Sequence, residues 1–141
     1  MPNPVTAIEF AAPAQVAARV AMKLSLETDC ADVHAALVSG DPGFVLIEAR
    51  GPEAYARGHI PGAINLWHRD ITAERLAAFP PETRFVAYCA GPHCNGADRA
   101  ALALARLGRH VKVMPGGITG WLAEGHALVT GSAPGSLTVG R

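Results

Sequence analysis

The apolar residues of this chain fall into short continuous runs separated by stretches with helical spacing. Four such runs lie between turn-forming residues and predict strands, at residues 44–47, 63–66, 85–88 and 111–114. Runs of this length are typical of strands covered on both faces, as in a parallel sheet. Helices are predicted between and after them, at residues 52–57, 73–78, 97–107 and 119–124. Strands that alternate with helices indicate an α/β fold with a mostly parallel sheet.

The first 28 residues are expected to form an extension with one helix. Apolar residues recur at helical spacing over 14–27, at Val16, Val20 and Leu24, so one face of this helix is apolar. We expect that face to pack on the domain or on a second copy of the chain, which would form a homodimer. The next helix is capped by Asp29 or Asp32 and ends at Gly40.

The remaining chain is expected to form one domain over residues 29–130, followed by a flexible tail. The tail, 131–141, is rich in Ser, Gly and Pro. Half of the 141 residues are apolar, which is enough for one substantial core without disulfides or metals.

The charge and the cysteine content limit the classes of binding partner and indicate the redox compartment. Twelve basic residues balance 12 acidic ones, so no net field attracts nucleic acid or an anionic membrane. Pro13, Arg19 and Lys23 interrupt the apolar stretch at 10–26, which therefore resembles neither a signal peptide nor a membrane span. An odd number of cysteines, three, favours a reducing compartment, and we expect a cytoplasmic protein.

Cys89 is the strongest candidate for chemistry. It follows the predicted strand 85–88 and precedes a glycine-bearing loop: Ala90, Gly91, Pro92, His93, Cys94, Asn95 and Gly96. A strand places such a side chain at the carboxyl edge of a sheet, where loop N–H groups and the next helix N-terminus stabilise a thiolate and an anionic substrate. The alternative is a small buried hydrophobe at a strand end.

Three blocks of sequence resemble the single-domain rhodaneses, a family of sulfurtransferases. They read I-E-A-R followed by G-H-I-P-G-A-I-N (47–50 and 58–65), Y-C (88–89) and G-G-I-T-G-W (116–121). The resemblance covers about residues 30–129. It implies a rhodanese-like three-layer fold with a central, mostly parallel sheet of about five strands between helices, and it matches the family's nucleophilic cysteine to Cys89.

The resemblance implies a sulfurtransferase that forms a Cys89 persulfide. The donor would be thiosulfate, polysulfide or a low-molecular-weight persulfide, and the acceptor a thiol or cyanide. Residues 90–96 would bind the substrate through backbone N–H groups. No cofactor and no metal are expected, because a thiol of low pKa and a nest of N–H donors suffice.

The loop departs from the usual family pattern. Typical loops read Cys-Arg-x-Gly-x-Arg, whereas residues 89–96 contain no arginine and form a slightly longer loop, similar to a bacterial rhodanese-like subgroup. The sequence therefore indicates thiosulfate less strongly as the donor, because the arginines that usually assist anionic donors are absent. Cys94 is either a resolving thiol that attacks the persulfide or a loop-packing residue. His93 either assists the donor and the thiolate or faces solvent.

The other conspicuous residues are expected to support the scaffold. Glu48 and Arg50 predict an ion pair near the sheet edge. His59 and Asn65 are expected to fix a turn and a strand, and Cys30 is expected to be structural.

Two alternative functions remain open. A thiol phosphatase or arsenate reductase needs an arginine six residues after the nucleophile to bind the oxyanion, and that position is Asn95. A non-catalytic rhodanese-like binding or regulatory module is the other alternative, and the arginine-free loop and the N-terminal helix favour it.

Overall fold

Four short parallel strands form a sheet at the centre of the computed structural model, which describes residues 3–137. The strands are β1 (Val45–Glu48), β2 (Ile64–Asn65), β3 (Arg84–Tyr88) and β4 (His110–Val113). The helices are α1 (Pro4–Ala7), α2 (Pro13–Leu26), α3 (Cys30–Val38), α4 (Pro52–Arg57), α5 (Ala73–Leu76), α6 (Gly96–Arg106) and α7 (Gly117–Ala123), with a 3-10 helix at His68–Asp70. The predicted α/β class, with a parallel sheet flanked by helices, is confirmed.

The strand order is β2-β1-β3-β4. In the central pair, Val45 lies opposite Phe85 and Glu48 opposite Tyr88. The sheet therefore has four strands in the described residues rather than about five. At the β4 edge, Glu27 forms only a one-residue parallel bridge with Val113, because the chain turns at once into α3.

A buried cluster of side chains joins each face of the sheet to helices. The sheet therefore lies between two helical layers, and the fold has three layers. One cluster joins the strands to α5 and α6: Ile47, Ala49, Leu66, Leu76, Phe85, Ala87, Cys89, Ala97, Ala100 and Leu104. The other joins them to α3 and α7: Cys30, Val33, Leu46, Ile60, Ala63, Val86, Tyr88, Met114 and Trp121. The strands are apolar on both faces because both faces are buried.

Helix α2 forms as the apolar spacing predicted, but its apolar face does not pack on the domain. Val16, Val20 and Leu24 remain exposed, and the helix reaches the sheet only near β4. The short helix α1, which the sequence did not predict, precedes it and is capped by the Asn3 side chain. Within residues 3–137 no helix is long and apolar enough to cross a membrane.

Residues 131–137 are held against the domain, whereas the sequence predicted a flexible tail from 131 onward. The Gly131 N–H donates to the Ala56 carbonyl at 2.8 Å, and the Gly62 N–H donates to the Pro134 carbonyl at 2.7 Å. Leu137 packs on the core. A low content of large apolar residues does not prevent a segment from being fixed through its backbone. Residues 138–141 of the predicted tail lie outside the described residues.

Candidate active site

Cys89 lies one residue beyond β3, at the carboxyl edge of the sheet. The side chain is buried, and the backbone N–H groups of Ala90 and Gly96 act to lower the pKa of its thiol. The predicted combination of strand end, loop and helix N-terminus is present. Burial outweighs these N–H groups and raises the pKa of Cys89, so the low thiol pKa that the sequence predicted is not found.

The first turn of α7 holds the loop in this orientation. The Ile118 N–H donates to the Cys89 carbonyl at 3.1 Å, and the Thr119 N–H donates to the Ala90 carbonyl at 2.9 Å. The Thr119 hydroxyl also donates to the Ala90 carbonyl, at 3.1 Å. Because α7 binds these carbonyls, the N–H groups of the loop are left to face the thiol.

Gly96, the first residue of α6, permits the close approach of the helix to the sulfur. A Cβ at this position would lie 2.7 Å from Cys89 Sγ and 3.5 Å from Cys94 Sγ. The absence of a side chain therefore lets both sulfurs lie at the N-terminus of α6, where the helix dipole favours a thiolate.

The Cys89 and Cys94 thiols interact, and each changes the pKa of the other. The Gly96 N–H also donates to Cys94 Sγ at 3.4 Å. Burial, together with the adjacent Cys94, raises the pKa of Cys89 to about 11. Burial also acts to raise the pKa of Cys94, but the hydrogen bonds from Cys89 and Gly96 outweigh it and lower that pKa. Removal of one proton from the pair therefore ionises Cys94 first, and the Cys89 thiol then donates a hydrogen bond to the Cys94 thiolate.

Alkylation as a function of pH is expected to show this order. Cys94 should react with iodoacetamide at a lower pH than Cys89, whose pKa lies toward about 11. In Cys94→Ser, Cys89 should react at a lower pH than in the wild type, because the thiolate that opposed its ionisation is gone. Peptide mass spectrometry after brief alkylation at a series of pH values measures both. Alkylation of Cys89 before Cys94 in the wild type would contradict the assignment.

A small cavity of about 130 Å³ opens beside the two sulfurs. Ten residues line it: Glu27, Cys89, Gly91, Pro92, Cys94, Ala97, Asp98, Val113, Met114 and Pro115. A larger cavity of about 390 Å³ lies at the opposite end of the strands, around Phe44, Arg84 and Val111, and has no cysteine in its lining. The smaller cavity is the candidate site because it joins a nucleophile to N–H donors.

The predicted loop residues contribute in different ways. Gly91, Pro92 and Cys94 line the cavity, and Ala90 and Gly96 contribute their N–H groups to the sulfur. The side chains of the other two, His93 and Asn95, are exposed and do not line the cavity. The Asn95 amide oxygen instead accepts a hydrogen bond from Arg99 Nε at 3.1 Å.

The predicted ion pair of Glu48 and Arg50 is present and belongs to a larger buried network. Arg50 Nε lies 2.7 Å from Glu48 Oε2, and Arg50 Nη2 donates to the Gly58 carbonyl at 2.7 Å. The Tyr88 hydroxyl donates to Glu48 Oε1 at 2.6 Å and accepts from the Ile60 N–H at 3.0 Å. The network joins β1, β3 and the turn before β2 directly below the loop.

A sequence model of the rhodanese-like domain matches residues 30–124. The chain belongs to the rhodanese-like family. It is 35% identical to the BH2092 protein of Bacillus halodurans, whose crystal structure superposes with a TM-score of 0.82 over 89% of this chain and 93% of that one. The thiosulfate sulfurtransferase of Pseudomonas aeruginosa shares the fold, with 24% identity and a TM-score of 0.64 over 82% of this chain and 22% of that one.

One curated relative is a longer protein. This rhodanese-like chain is 37% identical over 90 residues to the HTH-type transcriptional regulator Rv0324 of Mycobacterium tuberculosis. The match covers 64% of this chain and 39% of that protein, so the chain spans about two fifths of the length of this relative.

The sequence assigned His59, Asn65 and Cys30 to the rhodanese scaffold, and in the structure each of them contacts that scaffold. His59 is fully buried, with Nδ1 2.9 Å from the Tyr55 carbonyl, and the Asn65 amide donates to the Arg50 carbonyl at 2.8 Å. Cys30 is buried beside α7, where a Cβ at Gly116 would lie 3.0 Å from its sulfur. Among the described residues, three or more metal-ligating side chains do not come together.

Tyr88→Phe is expected to destabilise the domain by about 1–3 kcal/mol, because the buried Ile60 N–H and the Glu48 Oε1 atom lose the Tyr88 hydroxyl while Arg50 still pairs with Glu48 Oε2. Tyr55→Phe is the matched control. The Tyr55 hydroxyl donates only to the Ala63 carbonyl, so its loss should cost less, about 1 kcal/mol. Urea unfolding of both variants measures the difference, and equal costs would argue against the network.

Three contributors to the site lie outside the residues that the sequence singled out. Glu27 and Asp98 line the cavity, and Tyr88 completes the Glu48 network. The sequence indicated for Asp98, near the start of a helix, only a favourable interaction with the helix dipole. Glu27 carries no local signal at all, because its position depends on the bridge to Val113.

Proposed function

We propose that the protein is a sulfurtransferase that carries a sulfane sulfur as a Cys89 persulfide. The donor is thiosulfate, polysulfide or a low-molecular-weight persulfide, and the acceptor is a thiol or cyanide. The observation that supports this most directly is the position of the Cys89 sulfur, which lies against Gly96 at the N-terminus of α6 and beside a small cavity.

In the first half-reaction the Cys89 proton moves to the adjacent Cys94 thiolate. The Cys89 sulfur then attacks the terminal sulfur of a donor R–S–SH. The S–S bond of the donor breaks, R–S⁻ leaves, and Cys89–S–SH forms. The Ala90 and Gly96 N–H groups stabilise the charge on sulfur during the attack. No strong general acid is required, because a thiolate leaves readily.

In the second half-reaction an acceptor thiolate or cyanide attacks the outer sulfur of the persulfide. The bond between the two sulfurs breaks, the acceptor leaves as a persulfide or thiocyanate, and the Cys89 thiolate is restored. Cys94 provides a second route because it is adjacent. Its thiolate attacks Cys89 Sγ, HS⁻ leaves, and a Cys89–Cys94 disulfide forms that an external thiol must reduce.

Persulfide trapping tests the function. The protein is incubated with thiosulfate, polysulfide or glutathione persulfide, alkylated, and analysed by intact and peptide mass. We expect the mass of one sulfur atom on Cys89, which cyanide removes as thiocyanate. No added sulfur from any donor, or sulfur only on Cys30, would refute the proposal.

The second candidate is a non-catalytic rhodanese-like binding or regulatory module. It is favoured by the arginine-free loop and by a relative named as a transcriptional regulator. A failure of persulfide trapping with every donor would select it. Phosphatase chemistry has less support, since no arginine lines the cavity within the described residues.

The exposed apolar face of α2 supports a homodimer, as the helical spacing predicted. Val16→Glu combined with Val20→Glu is expected to convert a dimer into a monomer, because both side chains are exposed in one chain and a charge in an apolar interface is costly. Sedimentation velocity over a range of concentrations measures this. Arg19→Glu, on the same helix, is the charge control, and a wild type that is monomeric at all concentrations would contradict the dimer.

We also propose a reducing, cytoplasmic setting. The odd number of cysteines, three, supports this setting, because a secreted disulfide framework pairs its cysteines.

A further inference from the structure

The cavity beside Cys89 has acidic walls. Glu27 and Asp98 line it, and within the part of the chain that the structure describes no Lys, Arg or His side chain does so. The two residues come from different segments, Glu27 from the segment between α2 and α3 and Asp98 from the first turn of α6. Walls of this charge oppose the entry of an anion.

Glu27 is held at the cavity by its backbone. Its N–H donates to the Lys23 carbonyl at 2.8 Å, which ends α2, and the next N–H, of Thr28, donates to the Val113 carbonyl at 2.9 Å. Val113 and the two residues that follow it form part of the same cavity wall. The end of the N-terminal extension is thus built into the site.

Two basic side chains near the site are each paired with a carboxylate. Lys23 Nζ lies 2.7 Å from Glu27 Oε1, and its side chain is 61% exposed and borders a neighbouring hollow, not this cavity. Arg50 is paired with Glu48. Lys23 therefore offsets part of the Glu27 charge, whereas Asp98 forms no salt bridge among the described residues.

We propose that Glu27 and Asp98 select the sulfur donor by charge, and that the site takes small persulfides with an ammonium group near the sulfane sulfur in preference to anionic donors. The volume of about 130 Å³ suits the reactive end of a small molecule rather than an entire large ligand. Because donor selection presupposes sulfur transfer to Cys89, it rests on the proposed function.

Three persulfides that differ only in the group X of X–CH₂–CH₂–S–SH provide the test. They derive from cysteamine (cationic), 2-mercaptoethanol (neutral) and 3-mercaptopropionate (anionic). The rate of Cys89 persulfide formation is measured at low ionic strength for each donor, and is divided by the rate at which the same donor reacts with a small neutral thiol. We expect the cationic donor to exceed the anionic one by about tenfold, and this ratio to fall as salt is added.

Variants assign the preference to the two carboxylates. Glu27→Gln and Asp98→Asn should each lower the cation-to-anion ratio by about threefold. Lys23→Met should raise the ratio, because Glu27 loses its counter-ion. Glu124→Gln is the matched control: this carboxylate borders the neighbouring hollow but not the cavity, and its loss should leave the ratio unchanged.

The outcomes separate this preference from the proposed function. A wild-type ratio near one, a preference for the anion, or a ratio that neither Glu27→Gln nor Asp98→Asn changes would overturn donor selection while sulfur transfer stands. Failure of the neutral donor and of both others to load Cys89 would overturn sulfur transfer and donor selection together.

Discussion

Replacement of Cys89 by Ser is expected to abolish sulfur transfer, with a loss of about a thousandfold or more in rate, as for other enzymes that lose their nucleophile. A hydroxyl is nearly isosteric with the thiol but cannot form a persulfide. The fold should be retained, since the N–H groups of Ala90 and Gly96 can donate to the serine oxygen. The measurements are thiocyanate formation from thiosulfate or persulfide and cyanide, and protein-bound sulfur by mass.

Two cysteine variants serve as controls for this loss. Cys30→Ala removes a buried thiol that packs against α7, and should lower stability without lowering the transfer rate. Cys94→Ala should still accept one sulfur on Cys89 but should no longer form the intraloop disulfide. Retention of transfer by Cys89→Ser, or its loss in Cys30→Ala with the fold intact, would exclude Cys89 as the sulfur carrier.

Gly117→Ala is expected to destabilise the domain by about 2–5 kcal/mol, the sum of left-handed backbone strain and overpacking. Gly117 has φ +55°, and a Cβ there would lie 2.4 Å from the Cys89 carbonyl oxygen and 2.9 Å from the Gly91 nitrogen. These neighbours are backbone atoms of the loop that begins at Cys89. The loop must therefore shift, and sulfur loading should fall as well.

Gly125→Ala isolates the backbone strain. Gly125 has φ +84°, but a Cβ there would meet nothing within 4 Å, so the cost should be about 1–2 kcal/mol and loading should not change. Urea unfolding and persulfide trapping of both variants measure the two effects. Equal destabilisation by the two substitutions would show that the contact with the Cys89 carbonyl is unimportant.

The elements that the sequence predicted well are those with strong local signals. The strands β1 and β3 were visible because a strand buried on both faces must be apolar throughout. The edge strand β4, in which His110 and Lys112 are exposed, was visible from Val111 and Val113, and α6 ended near its glycine as expected. Segments without a local signal were missed. The one-turn helix α1 has too few residues for periodicity, and residues 131–137 are fixed by backbone bonds to Ala56 and Gly62, which side-chain composition does not report.

The residues of the candidate site likewise form two groups, those that the sequence could predict and those that it could not. Cys89 and the loop could be located because a strand, a glycine-bearing loop and a helix follow one another along the chain. Arg50 and Glu48 are two residues apart, so their pairing was also predictable, whereas Tyr88 is 40 residues from Glu48. The G-G-I-T-G-W block was recognised as a motif, but its hydrogen bonds to the Cys89 and Ala90 carbonyls required the folded chain.

The sequence by itself therefore determined the α/β class and the family and indicated Cys89 as the candidate nucleophile, because periodicity and motif spacing are local properties. Only the tertiary structure decided the pKa of that thiol. Burial and the adjacent Cys94 raise the pKa of Cys89, and a bridge to β4 brings Glu27 to the cavity. Desolvation and charge act through space, between residues that lie far apart along the chain.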